Sequence, residues 1–355
     1  MNGTHGAKGR AAALVLGFFA AAALSAPSVR AAGEPVRELV PMGETIGVKL
    51  FSDGVLVIGF SDGESAARRC GLKEGDLITA LNGAELDTIE QLQALLDETG
   101  GQKAALTVKR GSRTLELSAE PGRDENGEYR LGAWVRDSMA GIGTMTFYDP
   151  QSGTFGALGH GVTDVDTGKL LPLDHGSIMD ASVKAVKKGE SAAPGELKGD
   201  FDLTRDCGTL YANTEQGVFG TLAHEDAAAI TRAALPVAHR NEVKTGPATV
   251  LTTVEGGEAK EYAVEIEKIC SPGGDTRNLL LRVTDEALLE KTGGVVQGMS
   301  GSAILQDGKL VGAVTHVLVD DPTRGYGIFI ENMLDAGGLQ SLAAAGVIKN
   351  AAELT

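Results

Sequence analysis

Between Leu131 and about residue 335 the sequence leaves little room for long helices. Apolar runs such as "GIGTMTFYD", "GTFGALGHGV", "GVFGTLA", "PATVLTTV", "EYAVEIEKI" and "GSAILQDGKLVGAVTHVLV" are short, and glycine cuts most of them. Short apolar runs bounded by turn residues read as strands rather than helices. The chain holds 49 glycines and only 4% aromatic residues, which suits many tight turns. This part therefore reads as an all-β domain, a barrel or a sandwich. The following "NMLDAGGLQSLAAAGVIKNA" reads as a closing helix.

The stretch from Val40 to Glu120 has a different rhythm. "TIGVKLFSDGVLVIGF" alternates apolar and polar residues around a glycine and predicts two strands. "SAARRCGLKEGDLITALNG" predicts a short helix, a Gly-Leu stop and a strand ending in an Asn-Gly turn. In "TIEQLQALLDET", Ile89, Leu92, Leu95 and Leu96 fall at helical spacing, with Thr88 as N-cap. "QKAALTVKRGSRTLELSAEP" predicts a hairpin around "RGSR". The polar segment 121–130 then reads as a linker.

Ahead of this module, Lys8 and Arg10 precede the uncharged run Ala11–Leu24 and small residues near Ala26 and Ala31. That layout predicts an export signal over 1–32, cleaved or kept as an anchor. The apolar run is short for a spanning helix, which needs about 20 residues. A net charge of −16 argues against nucleic acid as a partner, since phosphates are repelled over most of such a surface. Cys70, Cys207 and Cys270 are far apart and odd in number, so no disulfide framework is expected. There is no HExxH, and neither a metal nor another cofactor is expected.

The stretch that carries chemistry is "GMSGSA", residues 298–303. A serine needs a base and N–H donors for the oxyanion before it can act as a nucleophile. Glycine two positions ahead lets the N–H groups of Gly298 and Ser300 converge, and Gly301 leaves room for substrate. The turn resembles the Gly-x-Ser-Gly-Gly-Pro motif of trypsin-like peptidases, with Ser302 and Ala303 in place of the last two residues. Aligned on it, Ser300 is the nucleophile. His160, at the end of the glycine-rich "GTFGALGHGV", is the candidate base, and His-before-Ser is the order of two-barrel serine peptidases. His316 is the rival base. For the orienting acid, Asp285 competes with Asp164, Asp166, Asp174, Asp202 and Asp206, and Asp285 also stands where a helix N-cap for "EALLEK" is expected. A Ser-Lys arrangement would use Lys309, which reads more simply as a solvated turn charge.

Two family resemblances follow from these residues. "AARRCGLKEGDLITALNG" resembles a PDZ domain, here spanning 40–120. That implies a peptide groove between an edge strand at Ile46, Gly47 and Val48 and the Thr88–Leu96 helix. "LGAWVRDSMAGIGTMTFYDP", "FGALGHGVTDVDTG" and the block from "TDEALLEKTGG" through "GYGIFIENML" resemble the sporulation stage IV B serine peptidase of endospore-forming bacteria. The resemblance implies a mainly β chain: a PDZ domain followed by a trypsin-like double β-barrel peptidase domain over 131–355. It puts the triad on His160, Asp285 and Ser300, with the oxyanion held by Gly298 and Ser300. It further implies an exported enzyme at the forespore membrane, or between forespore and mother-cell membranes. Such an enzyme cleaves itself and a membrane regulator of an intramembrane metalloprotease, so that a pro-sigma factor is processed. Two other functions fit the motifs: an inactive PDZ adaptor, and an envelope quality-control serine protease. The latter type places its PDZ domains after the peptidase.

Overall fold

The computed structural model describes residues 37–61, 63–270 and 276–339. The expected export signal, and the closing helix beyond residue 339, lie outside the described residues. The start of that closing segment is helical over Ile330–Ala336.

Antiparallel pairing closes two barrels. The first runs from Thr45–Phe60 through His175–Lys187, Gly208–Thr214, Gly217–Leu222 and Thr154–Ala157 to Ala133–Asp149. It closes because Ala133–Asp149 pairs back on Thr45–Phe60, from Thr45↔Thr144 to Phe51↔Ser138. The second joins Gly246–Thr252, Lys260–Ile269, Leu279–Val283, Arg324–Phe329, Lys309–Val317 and Ala303–Gln306. It closes through Thr249↔Leu305 and its neighbours. The sequence left barrel and sandwich open; closed rings decide for barrels, each ring strand being paired on both sides.

The PDZ module grows out of the first barrel instead of preceding it. Strand Thr45–Phe60 is continuous, with a register break between Phe51 and Leu56. Its first half belongs to the barrel. Its second half pairs with Leu77–Leu81 and with Ala133–Arg136 in the PDZ sheet. "FSDGV" is therefore a bulge, where a glycine turn between two strands is predicted. The module boundary at residue 40 moves accordingly: Thr45–Phe51 is barrel, and the PDZ module is inserted between two barrel strands. The expected linker 121–130 contains a small antiparallel ladder of Gly122–Arg123 with Tyr129–Arg130.

Other elements follow the sequence closely. Asn82 and Gly83 both have positive φ, as a two-residue hairpin turn into Ala84–Glu85 requires. Thr88 caps helix Ile89–Glu98 in a reciprocal capping box with Gln91. Leu92 and Leu96 of that helix are buried on Val55, Ile78 and Leu106, which gives the PDZ module its own core. Each barrel also has its own core, one around Phe155 and Ile178 and the other around Ile266 and Phe329. A fourth cluster bonds the barrels to each other. It packs Phe147 and Phe219 of the first barrel on Leu251, Leu305 and Leu310 of the second and on Met333 of the last described helix. Burial of side chains this size contributes about 1.5–3 kcal/mol each, before entropy is counted. That fixes the seam on which the site below is built.

Candidate active site

The two barrels face each other across a cavity of about 800 Å³. Leu50, Ile142 and Val162 line it from the first barrel, and Val295, Val317 and Tyr326 from the second. His160, Gly298, Ser300 and His316 all open onto this cavity. The sequence-predicted nucleophile, its base and the rival base are thus brought to one place.

Ser300 sits in the tight turn between Gly298 and the strand Ala303–Gln306. Gly298 and Gly301 have φ of 96° and 100°, a region that side chains disfavour. At Gly301 the need is also steric: a Cβ there would lie 2.0 Å from the Thr144 carbonyl oxygen and 2.6 Å from the Leu158 nitrogen. Among the described residues, the N–H groups of Gly298 and Ser300 donate to no other backbone group, while Met299, Gly301 and Ser302 all do. Two uncommitted donors flank the candidate nucleophile, the arrangement an oxyanion site requires. Ser302 is excluded as the nucleophile by its surroundings. It is fully buried, and its hydroxyl lies 2.8 Å from Thr252 Oγ1 and 2.6 Å from the Met299 carbonyl oxygen.

His160 is delivered by a strained turn. Leu158 and Gly159 follow strand Thr154–Ala157 with φ of 68° and 67°. A leucine in that region costs energy, and such strain concentrates at functional sites. The Nδ1 of His160 lies 2.9 Å from the Gly161 carbonyl oxygen. A carbonyl only accepts, so this bond places the proton on Nδ1 and leaves the lone pair on Nε2. Burial pushes the imidazole below its ordinary value of 6.5, and the Gly161 bond only partly opposes this. The ring is therefore neutral at neutral pH, as a general base must be. The His316 ring lies 5.2 Å from it, centroid to centroid. The Ser300 hydroxyl donates to the Thr315 carbonyl oxygen at 2.8 Å, a bond it gives up when it passes its proton to an imidazole.

Asp285 is not part of this arrangement. It is the N-cap of helix Glu286–Thr292 and accepts from the Leu288 N–H at 3.0 Å. Its other oxygen accepts from the Ala263 N–H at 3.3 Å. The helix-cap alternative thus describes its contacts, and His160 is not among them. The other acids are engaged elsewhere as well. Asp164 is fully buried, pairs with Arg136 and organises the turn through Thr167. Asp166 also pairs with Arg136, Asp174 with His175, and Asp202 accepts from Thr204. Asp206 is exposed and outside the cavity. The group that does hold His160 is a backbone carbonyl, which no residue pattern advertises.

Other chemistries find less support. Lys309 pairs with Glu242 at 2.6 Å on a hairpin rim, far from the role of a lysine base. Burial pushes the Cys207 thiol up to about 11, which keeps it protonated and unreactive. Asp180, Cys207 and Asp226 come close enough to suggest a cation site. Arg205, however, already bonds Asp226 and Asp180, each at 2.8 Å, and supplies the positive charge there.

The PDZ groove is also displaced from its expected position. Ile46, Gly47 and Val48 are not on an edge. Val48 pairs with Ile178 on one side and with Gly141 on the other, inside the first barrel. A groove of about 570 Å³ lies instead between helix Ile89–Glu98 and the segment Leu131–Val135. Gly132 has a φ of 72°, and Trp134 stands 64% exposed on the rim. "LGAWV" carried the signal, an apolar-Gly-apolar entry into a strand, but only the fold reveals which strand faces the helix.

Comparison with known proteins bears on both regions. The family described as "SpoIVB peptidase S55" matches residues 127–334, and the PDZ domain family matches residues 62–110. No curated protein matches the chain. Among solved structures, the PDZ domain of the SdrC-like protein from Listeria monocytogenes aligns at 21% identity and a TM-score of 0.22. It covers 23% of this chain and 87% of that one. The active form of the Rv3671c protease from M. tuberculosis aligns at 17% identity and a TM-score of 0.33, over 56% of this chain and 75% of that one. Its inactive form aligns at 17% identity and a TM-score of 0.30, over 55% and 82%. The strand pairings of this chain, not these likenesses, carry the assignment of two barrels.

Proposed function

The chain belongs to the SpoIVB peptidase S55 family and is a serine endopeptidase carrying a PDZ domain, and from that premise we propose that Ser300 and His160 perform peptide hydrolysis with the Gly161 carbonyl as orienting group. The observation that carries the reading is the shared cavity: a hydroxyl, a neutral imidazole and two uncommitted N–H groups open onto one space. Nε2 of His160 takes the Ser300 proton as Oγ attacks the scissile carbonyl. The N–H groups of Gly298 and Ser300 receive the oxyanion, and the imidazolium then gives its proton to the leaving amine. The Gly161 carbonyl keeps the tautomer right and stabilises the imidazolium less than a carboxylate does.

The biological role we propose is regulatory cleavage during sporulation. The enzyme is exported on the segment 1–32 to the forespore membrane or the space beyond it. There it cleaves itself near the N-terminus, then a membrane regulator of an intramembrane metalloprotease, which triggers pro-sigma-factor processing. The basic start followed by Ala11–Leu24 supports export, and membership of the family supports the rest. The PDZ groove at Leu131–Val135 takes an extended segment of these protein targets. N-terminal sequencing of the expressed full chain, wild type beside Ser300→Ala, tests the reading. Wild type should show a shortened N-terminus that the variant lacks. The same N-terminus in both proteins would remove self-cleavage from the account.

A further inference from the structure

We infer that Thr144, a residue of the first barrel, is the positioning residue for the oxyanion site on the second. Thr144 is fully buried in strand Ala133–Asp149. Its Oγ1–H donates to the Gly298 carbonyl oxygen at 2.8 Å. Its N–H donates to the Ser300 carbonyl oxygen at 3.0 Å. Gly298 and Ser300 are the two residues whose N–H groups are uncommitted, so each oxyanion donor has its own carbonyl held by Thr144. The carbonyl of Met299 between them is held within the turn by Ser302.

The geometry gives these bonds consequences. A peptide is planar, so the two bonds fix the Gly298–Met299 and Ser300–Gly301 planes, each of which adjoins the plane that carries a donor N–H. Gly298 has the widest conformational choice of any residue type and adopts a φ of 96°. Without an anchor on its carbonyl, that choice is open, and donors displaced by about 1 Å forfeit on the order of 100-fold in rate. Thr144 also accepts from the Leu158 N–H at 3.1 Å, on the turn that carries His160. One residue thus registers the nucleophile turn of one barrel against the base-bearing turn of the other. Thr144 touches none of the reacting atoms and acts through the groups it holds.

The inference rests on the reading of Ser300 as nucleophile. The test uses the full chain and a fluorophosphonate, whose phosphoryl oxygen takes the place of the carbonyl oxygen during attack. The inactivation rate and the apparent binding constant are measured separately for wild type, Thr144→Val and Thr144→Ser. Valine keeps the shape and both backbone bonds and removes only the hydroxyl donor. Its maximal inactivation rate should fall about 10- to 100-fold, somewhat less than loss of an oxyanion donor itself. Binding should stay within about twofold, and the pH midpoint of the reaction should not move, because His160 is untouched. Serine restores the donor and should recover most of the rate. Should valine prevent folding, Thr144→Ala carries the same comparison with serine. A folded hydroxyl-free variant that reacts at the wild-type rate overturns the inference. So does a serine variant as slow as valine, or a shifted pH midpoint. Wild type left unmodified at Ser300 overturns the functional reading itself, an outcome the variants cannot mimic.

Discussion

Strand Ala133–Asp149 serves two clefts, and they are built in opposite ways. At its first residues it forms the rim of the PDZ groove, where Trp134 is largely exposed and the opposing wall is a helix surface. At its far end Thr144 is fully buried and bonded to both sides of the Ser300 turn. The groove has an open rim that accepts an extended segment. At the catalytic cavity the turn that carries Ser300 is held by buried Thr144 through its hydroxyl and its N–H. Recognition tolerates variation in a target, whereas chemistry does not tolerate misplaced atoms. The difference predicts that single substitutions cost far more at one end of the strand than at the other.

The largest effect should come from the catalytic pair. Ser300→Ala should lower proteolysis by about 10⁴- to 10⁶-fold with folding intact, since one oxygen is removed from a turn fixed by its backbone. His160→Ala should cost a comparable factor, and His316→Ala far less, measured as fluorophosphonate labelling and as processing of the N-terminus. Equal losses in both histidine variants would assign the base to the pair.

At the groove the effect should be smaller and of another kind. Trp134→Ala should slow N-terminal processing about tenfold, equivalent to about 1.4 kcal/mol of lost target binding. Quantifying the processed fraction over time checks this. A loss as deep as that of Ser300→Ala would mean that the two clefts are not separable.

The smallest effect on rate should be at Asp285. Loss of an N-cap costs about 0.5–2 kcal/mol of stability. In a domain of this size each kcal/mol moves the thermal midpoint by about 2–4 °C. Asp285→Ala should therefore lower the midpoint by a few degrees and leave labelling of Ser300 within about threefold. A drop of 10⁴ in rate at an unchanged midpoint would restore Asp285 to the triad.

The same contrast explains what could be read from the sequence. That Ser300 and His160 line one cavity was expected because the proposed chemistry imposes residue types on the chain: "GMSGSA" needs glycine where the Gly301 position meets backbone at 2.0 Å. The helix Ile89–Glu98 was legible from Thr88 and its apolar spacing, since both act locally. The groove was not legible, because being an edge is a tertiary property. Ile46–Val48 has the alternation of an edge strand yet is paired on both flanks, while "LGAWV" was assigned to the peptidase domain. The orienting group was illegible for another reason. A backbone carbonyl such as that of Gly161 is present at every residue, so only its position gives it a role. Asp285 stayed open in the sequence because capping and triad duty ask for the same residue type.

The most direct test of a serine–imidazole pair held by a carbonyl is the pH dependence of Ser300 modification by a fluorophosphonate. Neutral imidazole is the active base, so the rate falls as the pH drops through the pKa of His160. Burial lowers that value from 6.5, and among the described residues no carboxylate contacts the ring to raise it. The midpoint of the decline should therefore lie below 6.5, with the label on Ser300. A decline centred at pH 7 or above, the signature of a carboxylate-paired histidine, would contradict the account.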